Sequence, residues 1–152
     1  MNTTTLRGLA GLFAVALCAT TALQAQTRET AEYFPMPGTR GLPFSEAVRA
    51  GNLLFLSGQL GTGADDRLVP GGIQAETRQA LENIRAVLER HGSSLERVIK
   101  CTAMLADMKE WAAMNEVYVT FFPKHLPARS AFGATGLALG ARMELECIAT
   151  VG

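Results

Sequence analysis

The most regular pattern in the chain is an apolar repeat with helical spacing between Ile73 and His91. The side chains that form it are Ile73, Ala80, Leu81, Ile84, Val87 and Leu88. Their spacing places them on one face of an α-helix, and Gly92 stands where a C-terminal cap is expected. The segment therefore predicts an amphipathic helix whose apolar face packs against another layer.

Apolar and β-branched runs predict strands on both sides of this helix. Before it, Gly51 and Asn52 form a turn signal between two strands, the second running from Leu53 to Ser57, which indicates a hairpin. A glycine-rich loop follows over residues 61–72. After the helix, residues 98–105 predict a central strand.

A second helix and two more strands are predicted in the C-terminal third. Asp107 and Glu110 have the spacing of a capping pair at the start of this helix. Its apolar residues are Trp111, Met114, Tyr118, Phe121 and Phe122, and it is expected to end at Pro123 and Pro127. Residues 128–134 and 142–151 predict strands. The last strand alternates Met143, Leu145, Cys147 and Ala149 with Glu144, Glu146, Ile148 and Thr150.

The predicted order is β-β-α-β-α-β-β, in a chain of 152 residues of which 48% are hydrophobic. A chain of this length forms one domain with a core of its own. The order is typical of an α+β domain whose helices cover one face of the sheet. Apolar residues are predicted on the other face as well, and we expect that face to meet another subunit.

The N-terminus has the layout of a secretory signal peptide over residues 1–25. Arg7 precedes an apolar run from Leu9 to Ala19, and small residues lead to Ala25, where cleavage is expected. The run is short for a membrane span, and an uncleaved anchor is the alternative. The mature protein is predicted to be exported, to lie in the periplasm and to have no stable membrane association. Residues 26–43 predict an extended lead-in without regular structure.

Charge and motif content exclude several classes of function. Lys and Arg together number 14, as do Asp and Glu, so no basic surface for nucleic acid is expected. His91 and His125 stand apart, and no motif with metal-ligand spacing occurs, so no metal is predicted. The motifs of nucleotide binding and of Ser-His-Asp catalysis do not occur either.

Two cysteines, Cys101 and Cys147, lie on predicted strands. An oxidising compartment would allow a disulfide between them. Cysteines that alternate with apolar residues are, however, more often buried as small hydrophobic side chains. Both alternatives stay open.

Arg129 raises the main functional question, because it stands between Pro127 and a predicted buried strand. An unpaired buried guanidinium is unfavourable, so an anion is expected beside it. One candidate is Glu144 or Glu146, in a structural ion pair, and the other is the carboxylate of a ligand. Spacing alone does not decide between them.

Other polar residues interrupt apolar elements. Ser57 and Gly58 end the second hairpin strand, and Asn115 and Tyr118 share a helix face at i and i+3. A turn is the alternative explanation for Ser57 and Gly58. A solvated or capping position is the alternative explanation for Asn115.

Three segments resemble the RidA family of enamine and imine deaminases. They are AVRAGNLLFLSGQLG, AETRQALENIRAVLERHGSSLERVIKCTAMLADMKEWAAMNEVY and LPARSAFGATGLALGARMELECIA. The resemblance is specific, because PARS, SGQ, NEVY and ELE occur in the family's order and spacing. It runs from about Phe44 to the C-terminus, so residues 44–152 are predicted to form a RidA-like domain.

The resemblance implies a homotrimer of α+β subunits similar to bacterial chorismate mutase, with clefts between subunits. It also implies hydrolysis of reactive 2-imino and enamine acids to 2-keto acids and ammonia without a cofactor. Position by position, the carboxylate-binding arginine falls on Arg129 and the water-orienting glutamate on Glu144. Ser57, Gly58 and Asn115 match positions that line the cleft.

Two departures affect the predicted site. Phe44 stands where the family commonly has a tyrosine, which removes a hydroxyl, and Ala131 stands where it commonly has a cysteine. Ala131 keeps its main-chain N–H as a donor to the ligand. The leading hypothesis is an imine deaminase, and the alternative is a binding protein that keeps a carboxylate-accepting cleft without turnover. An endoribonuclease fits the balanced charge poorly.

Overall fold

The computed structural model describes residues 30–38 and 41–152. In this part of the chain, two helices pack on one face of a seven-stranded sheet. The strands are β1 (Glu32–Pro35), β2 (Ser45–Ala50), β3 (Leu53–Leu56), β4 (Gln59–Leu60), β5 (Val98–Leu105), β6 (Ala128–Gly133) and β7 (Met143–Thr150). The helices are α1 (Gly72–Arg90) and α2 (Trp111–Tyr118). The predicted signal peptide lies outside the described residues.

The sheet is mixed and has the order β1-β2-β3-β7-β5-β6, with β4 paired to β7. Only β5 and β6 run parallel within it, and the other pairs are antiparallel. The predicted hairpin is β2–β3, and Gly51 in its turn has φ 59°, the left-handed value that a type II′ turn requires at its first central residue. The predicted α+β class with a mixed sheet is confirmed.

Helix α1 has the predicted apolar face and the predicted end. Leu81, Ile84 and Leu88 are fully buried against the sheet. Gly92 has φ 75°, and the N–H of Ser93 donates to the carbonyl of Leu88 at 2.8 Å, which is the bond that defines a Schellman cap. Local sequence signals therefore account for the apolar face and the C-terminal end of this helix.

The lead-in is more ordered than its sequence predicts. Residues Glu32–Pro35 form β1, which pairs with β2 along the edge of the sheet. A bulge opposite the Phe34–Pro35 step turns Glu46 and Ala47 toward the same side, and both are buried. The carboxylate of Glu46 there binds His91 at the end of α1, with Oε2 2.9 Å from Nε2.

The start of the second helix differs from the prediction. Asp107 caps a 3-10 turn by accepting a hydrogen bond from the N–H of Lys109 at 2.9 Å. Glu110 does not complete a capping box, because its carboxylate binds the guanidinium of Arg142. The α-helical part of the segment ends at Tyr118 and continues as one 3-10 turn.

A disulfide joins the two central strands. Cys101 on β5 and Cys147 on β7 are directly opposite each other, with Cα atoms 4.1 Å apart and an S–S distance of 2.01 Å. Both residues are 1% exposed. Of the two alternatives left open by the sequence, the structure has the disulfide.

The two faces of the sheet differ in the way the alternation in β7 predicts. Met143, Leu145, Cys147 and Ala149 are buried under the helices, whereas Glu144, Glu146, Ile148 and Thr150 lie on the other face. That other face also carries Phe55 and Phe132, each close to half exposed. Among the described residues, no helix is long and apolar enough to cross a membrane.

Candidate active site

Arg129 lies on β6, at the edge of the sheet, and its side chain turns toward α2. Its register partner on β5 is Cys101, whose side chain is buried on the helical side. The guanidinium carbon lies 4.5 Å from the centre of the Tyr118 ring, and Nη1 lies 3.9 Å from the sulfur of Met114. A cation over an aromatic face is attracted by the ring, so Tyr118 holds the guanidinium in place.

No carboxylate of the described residues lies within 4.0 Å of the Arg129 guanidinium. The structural ion pair with Glu144 or Glu146, one of the two alternatives from the sequence, is therefore wrong within this chain. Both glutamates lie on the opposite face of the sheet from Arg129. The guanidinium keeps N–H donors that a ligand carboxylate can accept as a bidentate pair.

Two buried polar atoms without partners lie on α2, the helix whose Tyr118 contacts this arginine. Tyr118 is 3% exposed, and neither its hydroxyl nor the buried Oδ1 of Asn115 has a hydrogen-bond partner. Burial raises the pKa of Tyr118 to about 12, against an opposing effect of the Arg129 charge, so its hydroxyl stays neutral at physiological pH. Since buried polar atoms are normally hydrogen-bonded, this cluster is suited to a polar ligand.

Glu144 lies on β7, where it faces β4 on one side and β5 on the other. Its register partners are Leu60 and Met104. Burial raises the pKa of Glu144 above its ordinary value, and the charge of Glu146 two residues along the same face adds to the rise. A carboxyl group with a raised pKa exchanges protons more readily near neutral pH.

Gly58 creates the space that the Glu144 carboxylate occupies. A Cβ atom added at Gly58 would lie 1.9 Å from Oε1 of Glu144, so no other residue fits without displacing that carboxylate. Ser57 fixes the preceding backbone, because its hydroxyl donates to the Ser45 carbonyl at 2.6 Å and its N–H donates to the Glu46 carbonyl at 3.0 Å. Phe44, 50% exposed, directly precedes Ser45.

The predicted site residues thus form two groups in one chain. The arginine group is Arg129, Asn115 and Ala131, with Ala131 partly buried on the same side of β6 as Arg129. The glutamate group is Glu144, Gly58 and Ser57, and Phe44 is connected to it through Ser45, whose carbonyl accepts the Ser57 hydroxyl. On β5, Cys101 is the register partner of Arg129, and Met104 is the register partner of Glu144. The two groups are therefore about 10 Å apart along the strands and about 10 Å apart across them. They also lie on opposite faces, so one chain does not bring them together.

The sequence did not predict the contact between Tyr118 and Arg129. The spacing of Tyr118 to Asn115 placed both on one helix face, but the contact with Arg129 depends on how α2 packs over β6. Among the described residues, no group of three or more His, Cys, Asp or Glu side chains is placed to hold a metal ion.

Residues 39–151 match the endoribonuclease L-PSP family, which is most of the chain. The chain belongs to this family. The resemblance to RidA proteins, which the sequence motifs predicted, is confirmed.

Relatives and solved structures of the family agree with this assignment. The mouse protein named 2-iminobutanoate/2-iminopropanoate deaminase is 40% identical over 111 residues, which cover 72% of this chain and 82% of that protein. The crystal structure of the yeast protein YEO7 has a TM-score of 0.75 and 39% identity, covering 81% of this chain and 100% of that one. RidA from the Antarctic bacterium Psychrobacter sp. PAMC 21119 has a TM-score of 0.70 and 35% identity, with 82% and 100% covered.

Proposed function

We propose that this protein hydrolyses 2-imino acids to 2-keto acids and ammonia. The observation that carries the proposal is the Arg129 guanidinium, which is oriented by Tyr118 and has no carboxylate partner among the described residues. A 2-imino acid supplies that carboxylate. Family relatives named as 2-iminobutanoate/2-iminopropanoate deaminases support the same reaction.

Substrate binding follows from the arginine group. Two parallel N–H···O bonds from Arg129 hold the substrate carboxylate, because the guanidinium fork matches the spacing of its two oxygens. The main-chain N–H of Ala131 is expected to add a donor. The side-chain amide of Asn115 lies one helical turn from Tyr118 and is suited to bind the imine end of the substrate.

Glu144 activates the attacking water in this mechanism. The carboxylate accepts a proton from water as the water oxygen bonds to the imine carbon, and it delivers that proton to the imine nitrogen. In the carbinolamine that results, the C–N bond breaks. The nitrogen leaves as ammonia with the proton of the new hydroxyl, and the C=O bond of the 2-keto acid forms. The imine and one water contain the same atoms as the keto acid and ammonia, and no redox change occurs, so the reaction requires no cofactor.

The separation of the two groups supports a site shared between copies of the chain. In a cyclic oligomer, the arginine group of one copy can face the glutamate group of the next. We infer that the oligomer is a homotrimer, as the family resemblance implies. Exposed apolar side chains lie on the sheet face opposite the helices, Phe55 and Phe132 among them, and they support burial of that face against another copy.

A binding protein without turnover is the rival function, and Phe44 is the residue that favours it. A half-exposed phenylalanine beside the glutamate group offers no hydroxyl to a reacting ligand. The family description suggests endoribonuclease activity. The chain, however, lacks the excess positive charge that an RNA-binding surface needs.

The decisive experiment measures turnover of freshly generated 2-iminobutanoate by the purified chain. Arg129→Lys keeps the charge and loses the fork, so kcat/KM should fall about 10- to 100-fold, the loss expected for a charge-assisted hydrogen bond. Arg85→Lys is the matched control, because Arg85 also lies over an aromatic ring, Phe121, at 5.2 Å but outside the site. Unchanged hydrolysis in Arg129→Ala would refute the assignment, and binding without hydrolysis in the unsubstituted chain would favour the rival function.

We also propose export to the periplasm with cleavage after Ala25. The signal-like pattern of residues 1–25 supports it, and so does a disulfide in the folded domain, since disulfides persist in oxidising compartments. The intact mass of the protein from its native host tests both features. A mass that includes Met1 or Asn2, recovered from cytosol, would contradict export.

A further inference from the structure

A groove between β6 and α2 begins at Arg129. Arg129, Ala131 and Gly133 alternate along β6 on the helical side, because their register partners on β5 are all buried. At one end, Tyr118 lies under the guanidinium. At the other end, Met108 covers Gly133, where an added Cβ atom would lie 3.1 Å from Cγ of Met108. The groove is therefore cationic at one end and apolar at the other.

Trp111 lies between these two ends. Met108, Trp111, Asn115 and Tyr118 follow one another at intervals of three, four and three residues, so they form one stripe along the helical segment. Because Met108 contacts Gly133 and Tyr118 contacts Arg129, Trp111 lies between the two ends of this stripe. Trp111 and Met108 are each 44% exposed within the single chain, so neither is covered by the rest of the described chain.

We propose that Trp111 and Met108 bind the substrate side chain and make this protein prefer 2-imino acids with long or aromatic apolar side chains. The inference rests on the proposed deaminase function. With the substrate carboxylate on Arg129 and on the main-chain N–H of Ala131, the substrate side chain extends past Ala131 toward Met108, and Gly133 lies about 7 Å further along the strand.

The composition of the groove suits a large apolar group. On the floor of the groove, Ala131 presents only a methyl group, and Gly133 is in contact with Met108. The indole of Trp111 offers a large rigid apolar surface, and the thioether chain of Met108 adapts to different shapes. A substrate as small as 2-iminopropanoate would reach none of this surface.

Intrinsic fluorescence tests the contact directly, because Trp111 is the single tryptophan of the chain. The probes are 4-methyl-2-oxopentanoate and pyruvate, which are products rather than substrates. The branched keto acid should change the Trp111 emission and bind at least tenfold more tightly than pyruvate, measured by calorimetry. Arg129→Ala should abolish both signals. Equal affinities with unchanged emission would overturn the proposal.

Kinetics separate this inference from the proposed function. The measured quantity is the ratio of kcat/KM for the leucine-derived imine to that for the alanine-derived imine, each generated by an amino acid oxidase. Trp111→Ala should lower the ratio about tenfold, within the range expected for losing apolar contacts. Ala131→Leu, which fills the floor of the groove, should lower it as well.

Leu126→Ala removes a more exposed apolar side chain outside the groove and should leave the ratio unchanged. A ratio that Trp111→Ala does not change, or an equal loss for both imines, would overturn the inference and leave the deaminase assignment standing. No hydrolysis of either imine by the unsubstituted chain would instead refute the proposed function, and the preference for a bulky imine with it.

Discussion

At the scale of single residues, two close contacts shape the candidate site, and neither of them is an ion pair. Tyr118 holds Arg129 through its ring face, and Gly58 admits Glu144 because it has no side chain. The sequence predicted that Arg129 meets an anion, but it left open whether the anion belongs to the protein. Only the registers of β6 and β7 against β5 show that Arg129 and Glu144 lie on different faces.

Gly58→Ala should disable Glu144 without unfolding the chain. The new methyl group would overlap Oε1 of Glu144, at 1.9 Å, so the carboxylate has to rotate away. We expect imine turnover to fall at least 100-fold, since a displacement of about 1 Å at the reacting centre has effects of that size. Gly63→Ala is the control, because its nearest atom lies at 3.4 Å and its φ is not left-handed. Full activity in Gly58→Ala would contradict the role of Glu144.

Glu146→Gln should shift the pH dependence of catalysis. The Glu146 charge helps to raise the pKa of Glu144, after the larger effect of burial. Removing that charge favours the ionised form of Glu144 and lowers its pKa. If the ionised form activates the water, activity should persist to lower pH, and the acidic limb of the kcat profile should move in that direction. A limb that stays in place, or moves to higher pH, would show that Glu144 is not the titrating group.

At the scale of elements, the sequence predicted helices and strands whose signals lie within one segment. It predicted less well the features that depend on strand pairing or on residues distant in sequence. Helix α1, the β2–β3 hairpin and the alternation in β7 follow from spacing and turn residues that lie within each segment. Strand β1 carries no such signal, because its order comes from pairing with β2. Glu110 has the spacing of a capping residue, yet it binds Arg142, which is distant in sequence.

The disulfide between β5 and β7 should stabilise the fold without controlling its activity. It closes a loop with a sequence separation of 46, for which the chain-entropy relation gives about 4 kcal/mol of stabilisation. The double variant Cys101→Ala, Cys147→Ala should therefore melt at a lower temperature and keep its imine turnover. Because both sulfurs are buried, thiol labelling after reductant treatment should require denaturation. Rapid labelling of Cys101 or Cys147 in the native protein would contradict a purely structural disulfide, whereas labelling of Cys18, the third cysteine of the sequence, would not.

At the scale of the whole molecule, the sheet has one covered face and one face that the described chain leaves open. The helices cover the first, and Arg129 belongs to that side at the edge of the sheet. Glu144 belongs to the open face, near the centre of the sheet. A second copy that packs its open face against the edge strand β6 would both bury apolar surface and place a glutamate group beside an arginine group.

Subunit mixing tests this shared site. Arg129→Ala and Glu144→Gln should each be inactive alone. In a mixed trimer, one of the three junctions then joins an intact Arg129 to an intact Glu144. Random assembly at equal amounts makes three quarters of the trimers mixed, so co-expression should restore about one quarter of the unsubstituted activity. Mixing Arg129→Ala with Arg129→Lys is the control and should restore none. If the first mixture also stays inactive while light scattering reports trimers and native mass spectrometry shows that they contain both variants, both groups must act within one copy, and the proposed shared site is wrong.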